Sequence, residues 1–201
     1  PPMFSSRRRH TRSTLQSRGL GDVYKRQTMT NGENTAFIPI REFLTSRGFP
    51  GYMGYQSDSE VFTHILHFTH YRLGLGIEMY KHVITPLQDL DLGHHPNGDY
   101  LKQLKHTCRR MIIDGPNCVM GSLPDKTLFI VQDRKKLRPG VVGGKPGLYA
   151  FSSEMCGLDV AIPDRDKSRD FQPMHLDTAI IRPDRQEVEI CRQTDPLPLP
   201  H

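Results

Sequence analysis

The chain reads as one α+β domain, a class set by how its apolar residues repeat along the sequence. Segments in the first half carry apolar residues at helical spacing. Segments in the second half alternate every second residue, and the Gly- and Pro-containing breaks between them are of hairpin length. At 201 residues one core suffices, and nothing in the sequence repeats or demands a second domain.

The first helix is expected over 38–47, where Ile40, Phe43 and Leu44 share a face and Gly48 is a suitable stop. It follows a tight Asn31-Gly32 turn. The next helix opens on Ser57-Asp58-Ser59-Glu60, a capping-box pattern in which Ser57 caps the first turn and Glu60 returns the bond. Val61, Ile65 and Phe68 then recur at i, i+4 and i+7, with Phe62, Leu66 and Thr69 widening the stripe over 59–72, until Gly74 and Gly76 interrupt it. Residues 89–98 are polar and read as a loop. Tyr100, Leu104, Cys108 and Met111 predict a helix over about 99–110.

From there the period becomes two. Strands are expected over 117–123 and 127–132, joined through Pro124-Asp125, and at Val141-Val142 and 148–151 around Gly143-Gly144-Lys145-Pro146-Gly147. A short helix over 155–161 and a hairpin of 178–181 with 187–191 complete the expected elements, before a Pro-rich tail over 193–201 with little to order it.

Charge separates the first residues from the rest. Residues 1–27 carry a net charge of +6 and the other 174 residues −1, so no electrostatic case for nucleic acid survives outside the leading segment. That segment has almost no large apolar side chains and reads as a disordered basic tail. Its string Ser5–Gln27 resembles a translated sequencing-adapter or vector sequence, which places 1–27 outside the fold. A chain that begins at Pro1 without Met reads as a processed product or a fragment. Cys108, Cys118, Cys156 and Cys191 form no Cys-x-x-Cys pair, so reduced cytoplasmic thiols are expected. Apolar runs are too short for a bilayer span, and no membrane partner is expected.

His64, His67 and His70 step around their helix by about 60° each, too far for three ligands on one ion, and are expected to be surface or partly buried residues. Residues 143–147 lack the Walker spacing and the following Ser or Thr of a phosphate loop.

One ordered series of short motifs spans the usable chain: Thr30-Asn31-Gly32, Ser57-Asp58-Ser59-Glu60, Asp133-Arg134-Lys135-Lys136-Leu137-Arg138-Pro139, and Ser152-Ser153-Glu154. In order and separation it resembles the class II (N-terminal-nucleophile) glutamine amidotransferases, and the third and fourth motifs most resemble the glutamate synthase branch. The resemblance covers 28–192, as the C-terminal part of such a domain. It implies a four-layer αββα sandwich, here incomplete, and a domain that releases ammonia from glutamine for an acceptor such as 2-oxoglutarate.

By the same resemblance Asn31 and Gly32 form an oxyanion hole, since an Asn amide and a Gly backbone N–H can aim two donors at a tetrahedral intermediate. Asp58 binds the substrate ammonium. The residue-level alternatives are a plain turn for Asn31-Gly32 and a helix-stabilising first-turn acid for Asp58. Asp133, Arg134, Arg138 and Glu154 would support the pocket, with a structural Asp133–Arg ion pair as the alternative. Lys135-Lys136 stands where the glutamate synthases have Asn-Gly, which opens the question of how this turn is made.

The family's nucleophile is an N-terminal Cys about a hundred residues before the Asn-Gly pair, whereas all four cysteines here follow it. The 201-residue chain is therefore expected to be inactive alone and only marginally folded, with unpaired sheet edges. The resemblance implies no cofactor in this domain, and FMN and an iron–sulfur cluster in a partner flavin-dependent synthase domain or subunit. An amidotransferase-like subunit of N-methylglutamate synthase, or a non-catalytic scaffold for a flavin-dependent synthase, are the other readings.

Overall fold

A computed structural model describes residues 20–23, 26–48 and 58–198. Six antiparallel strands form one sheet in the order β1-β2-β3-β4-β7-β8: β1 Leu20–Val23, β2 Arg26–Gly32, β3 Asn117–Ser122, β4 Leu128–Gln132, β7 Asp177–Ile181 and β8 Glu189–Arg192. β5 Val141–Lys145 and β6 Leu148–Ser152 pair as a separate hairpin.

Register decides which side chains meet. Val119 lies opposite Val131 and Phe129 opposite Ile180, and all four join the core beneath the helices. The alternate residues Met120, Ile130 and Ala179 lie opposite one another in turn and pack with Cys118 and Val142 on the other face. Because β3, β4 and β7 are buried on both faces, their apolar residues run nearly without interruption.

The helical layer comprises α1 Phe37–Ser46, α2 Ser59–His67, a π-helical turn Phe68–Arg72, α3 Tyr80–Ile84 after a 3₁₀ turn Ile77–Met79, α4 Asp89–His94, and α5 Gly98–Thr107. α6 Met155–Ala161 packs on the β5–β6 hairpin, where Leu158 fills the space above Gly143.

The expected helices at 38–47, 59–72 and 99–110 are present, as are the three hairpins. The last of these places β8 at Glu189–Arg192 rather than 187–191. Residues 89–98 depart from the expected loop, because Leu92 buries its side chain and draws Asp89–His94 into a short helix. No amphipathic stripe marks α3, since every residue from Tyr80 to Ile84 is buried, and a helix enclosed on all sides has no exposed face to betray its period.

The leading segment also differs from expectation where it is described. Leu20–Val23 forms β1 and Arg26–Gln27 opens β2, with Arg26 buried and its guanidinium 5.3 Å from the Tyr71 ring. Hydrogen bonding of β2 to both β1 and β3 supplies the ladder partners that composition could not reveal. Residues 1–19 lie outside the described residues. At the other end Gln193 donates to Thr85 O at 3.0 Å, and the Leu197 backbone N–H donates to Asn97 Oδ1 at 2.9 Å, so the tail docks through Leu197 on the core.

Lys81 is fully buried on α3. Its ammonium donates to His175 O at 2.7 Å and Asp177 O at 2.9 Å, tying the helix to the turn before β7. Burial pushes Lys81 down to about 8, despite the opposing pull of Asp177, Asp133 and Cys118. Below pH 8 the folded chain bears the full cost of the buried charge. Between pH 8 and the unfolded value of 10.5 the unfolded state binds more protons, so this residue's contribution to stability rises with pH. Cys118 and Cys191, both pushed up to about 12, act oppositely above pH 9. In urea melts from pH 7 to 10.5, the stability of wild type minus that of Lys81→Met should rise by about 3 kcal/mol. A flat difference would mean that the ammonium is not desolvated.

Candidate functional site around the Asn31–Gly32 turn

The end of β2 is fixed by close backbone approach. Gly32 has φ +151°, and a Cβ there would stand 2.1 Å from Pro116 O and 2.6 Å from Asn117 Cα. The next residue continues the contact, with Glu33 N–H donating to Pro116 O at 2.9 Å. Glycine is the residue this position accepts.

Side chains of β2 alternate as a strand requires. Thr28 bonds Thr63 at 2.5 Å and Thr30 bonds Ser59 at 2.7 Å, both on α2, so Asn31 belongs to the opposite face with Met29. Its directly opposite neighbour on β3 is Cys118. No spacing in the sequence marks Cys118 as that neighbour; it follows from register.

Asp58 is the N-cap of α2, but its side chain makes no capping hydrogen bond to that helix. Its Oδ2 instead accepts the Asn34 backbone N–H at 2.9 Å, and Ser59 Oγ donates to its Oδ1 at 3.4 Å. An N-cap carboxylate ordinarily accepts from its own first turn. Here it turns toward the loop leaving Asn31-Gly32. Ser57, expected to cap the helix, lies outside the described residues, and Glu60 stands 3.5 Å from His64.

Asp133 reaches the same region from below. Its buried carboxylate accepts from the backbone N–H groups of Asn117 (3.0 Å), Lys135 (2.8 Å) and Leu137 (3.2 Å). The alternative of an Asp133–Arg ion pair is not what the structure contains: three backbone amides already satisfy this carboxylate, while Arg134 donates to Pro86 O and Arg138 lies 4.0 Å from Glu33. Lys136 has φ +53°, so the turn keeps the left-handed conformation that glycine accepts most readily.

Asn31, Gly32, Asp58, Asp133 and Arg138 thus converge on residues 31–34 and their β3 neighbours. Glu154 does not share these contacts. It is exposed at the start of α6, where Cys156 Sγ donates to its Oε2 at 3.3 Å. A cleft of about 540 Å³ adjoins the turn through Gly115 and Pro116 and is bordered by Lys105, Asp133 and Arg134, but Asn31, Gly32 and Asp58 do not line it.

Cys118 is fully buried, and burial pushes its thiol up to about 12, partly offset by a hydrogen bond with Gln132, so it is a poor nucleophile despite facing Asn31. His64 and His67 are more buried than expected, and burial lowers the His67 pKa, which favours a neutral ring stacked 5.0 Å from Tyr71. His70 Nδ1 lies 3.0 Å from Leu75 O. No described helix is long and apolar enough to cross a membrane.

No family model matches the sequence. A protein of Archaeoglobus fulgidus described as uncharacterized is 26% identical over 165 residues, which are 81% of this chain and 42% of that protein. Among solved structures, the glutamine phosphoribosylpyrophosphate amidotransferase of B. subtilis, complexed with ADP and GMP, superposes with a TM-score of 0.53 at 16% identity, over 86% of this chain and 30% of its own. The chain therefore shares its mixed helix-and-sheet fold with a glutamine amidotransferase structure. It spans less than half the length of either protein.

Gly32→Ala should cost at least about 2 kcal/mol in urea unfolding, because the methyl meets backbone rather than a movable side chain. Lys136→Gly should instead stabilise by about 0.5–1 kcal/mol, the relief of the left-handed turn exceeding the added freedom of the unfolded chain. A loss of stability in the second variant would show that the Lys136 side chain contributes more than its backbone costs.

Proposed function

We propose that this chain carries the glutamine-recognition part of a class II glutamine amidotransferase of the glutamate synthase kind, built as a four-layer αββα sandwich. The observation that carries this reading is the Asp58 carboxylate, which leaves its own helix uncapped and turns to the loop after Asn31-Gly32. Asp58 would pair with the ammonium of glutamine, a charge-assisted contact. The Asn31 amide and the Gly32 N–H would receive the oxyanion that forms when a thiolate attacks the side-chain amide. The C–N bond then breaks and ammonia leaves, and water hydrolyses the glutamyl thioester to glutamate. Asp133, Arg134 and Arg138 hold the surrounding turns, and Glu154 would act from the hairpin side.

None of the four thiols suits the nucleophile's part: Cys108 and Cys118 are buried, Cys191 lies on β8, and Cys156 is exposed on α6. That part would need a cysteine that these 201 residues do not supply. The ammonia would pass to an acceptor such as 2-oxoglutarate on a flavin-dependent synthase domain or subunit, where FMN and an iron–sulfur cluster would reside. The burial of Cys118 opposite Asn31 favours a second reading, a scaffold that keeps the fold without the chemistry, as in a non-catalytic partner of such a synthase or of N-methylglutamate synthase.

Titrating the chain with glutamine in amide-resolved NMR separates the two. Recognition predicts shifts at Asn31, Gly32, Asn34 and Ser59, an affinity weakened by about tenfold or more in Asp58→Asn, and no ammonia release beyond a chain with all four cysteines replaced by serine. Unperturbed amides at saturating glutamine would leave the scaffold reading, and cysteine-dependent ammonia would overturn the assignment of the nucleophile.

A further inference from the structure

The most distinctive cluster outside the Asn31–Gly32 turn lies where β8 meets the helical layer. Glu78 and His82 are four residues apart across the 3₁₀ turn and α3, and Glu189 and Cys191 are two apart on β8, so each pair faces one way. All four side chains line one cavity of about 300 Å³. Glu78, Glu189 and Cys191 each offer a ligand atom, and those atoms lie within 4.8 Å of one another.

His82 is an independent pointer to a ligand. It is only 4% exposed, and its one described partner is the His95 ring, at a centroid distance of 6.4 Å; it makes no hydrogen bond among the described residues. The ring carries no hydrogen bond from the described residues and borders the cavity, so its nitrogens are left to whatever occupies that space. His82 stands outside the 4.8 Å set but lines the same cavity, so three ligands are preformed and the imidazole is the candidate fourth.

Arg182 already serves this cluster, with Nε 3.0 Å from Glu189 Oε2 and Nη2 on Glu78 Oε1. One guanidinium balances one of the two carboxylates. Glu78 Oε2 and Glu189 Oε1 are not used by Arg182, and Glu189 Oε1 accepts from the Cys191 thiol at 3.4 Å. Two carboxylates, a thiolate, a divalent ion and Arg182 sum to zero charge, so an ion enters without displacing the arginine. Arg182 would then orient both carboxylates from behind, as outer partners do at metal centres.

We propose that Glu78, His82, Glu189 and Cys191 form a site for a divalent metal ion of borderline softness, with Zn²⁺ as the ion whose chemistry matches a mixed carboxylate, imidazole and thiolate set. On binding, the Cys191 S–H bond gives up its proton to solvent and the thiolate takes the metal. No electron changes hands. The site clamps the edge strand β8 to the segment 78–82 and so acts on the fold rather than on glutamine.

The test uses the full chain freed of metal with a chelator, titrated with Zn²⁺ by calorimetry and with Co²⁺ by absorption. One ion per chain is expected, with a thiolate-to-Co²⁺ charge-transfer band in the near ultraviolet. Cys191→Ser should abolish the band, Glu189→Gln and His82→Gln should weaken Zn²⁺ binding by about tenfold or more, and Cys156→Ser should change neither. Glu78→Gln, which preserves volume, decides the matter if Cys191→Ser does not fold by circular dichroism. A band that persists in Cys191→Ser, one that disappears with Cys156, or the absence of any thiolate band would overturn the proposal and leave the cluster as an ion-pair network around Arg182.

Discussion

Two-sided burial of β3, β4 and β7 is the constraint from which the rest of the architecture follows. Val119, Phe129, Val131 and Ile180 require helices on one face, while Met120, Ile130 and Ala179 require cover on the other. The β5–β6 hairpin supplies that cover through Val142. Its backbone runs close over the loop beneath α6, because Gly143 leaves no room for a side chain beside Asp170 and Leu158. The buried Arg165–Asp170 pair, bonded at 2.9 and 3.0 Å from Nε and 2.8 Å from Nη2, holds that loop in place. Such a pair is costly to break by removing one partner.

At one end of this sheet the polar groups that the strands leave over are gathered into a small number of fixed contacts. The Asp133 carboxylate collects three backbone amides, and the segment before Asn117 presses on Gly32 closely enough to exclude a methyl. Rigidity at this point suits the oxyanion role proposed for the turn, since donors contribute most when they do not have to reorganise. The same rigidity accounts for a lysine in this turn: Asp133 holds Lys136 in the left-handed region by bonding the residues on either side of it.

The helical layer holds its own polar groups in a different way. Lys81 satisfies its ammonium with two carbonyls rather than a carboxylate, which is compatible with burial because the surrounding acids still favour the charge at a distance. Next to it, burial and the neighbouring His95 and Lys81 push His82 down to about 4, so its ring is neutral. These two adjacent residues bring opposite demands into one short helix. Its position between the β7 turn and β8 lets both be met.

The sequence by itself determined the class of fold, most of the helices and hairpins, and the motif order that pointed to Asn31, Gly32 and Asp58. Each of these rests on local signals: the 3.6-residue period of Val61, Ile65 and Phe68, the Pro124-Asp125 turn, and an acid at a helix start. Only tertiary structure decided what those residues touch. Burial of Leu92 made a helix of an expected loop, and the all-round burial of 80–84 erased the period that would have revealed α3. Strand register put Cys118 opposite Asn31, and a contact between residues 34 and 58 turned the Asp58 carboxylate away from its own helix. Convergence of Glu78 and His82 with Glu189 and Cys191, more than a hundred residues away, was likewise invisible along the chain. Such pairings are set by the packing of whole elements, and local sequence carries no record of which faces will meet.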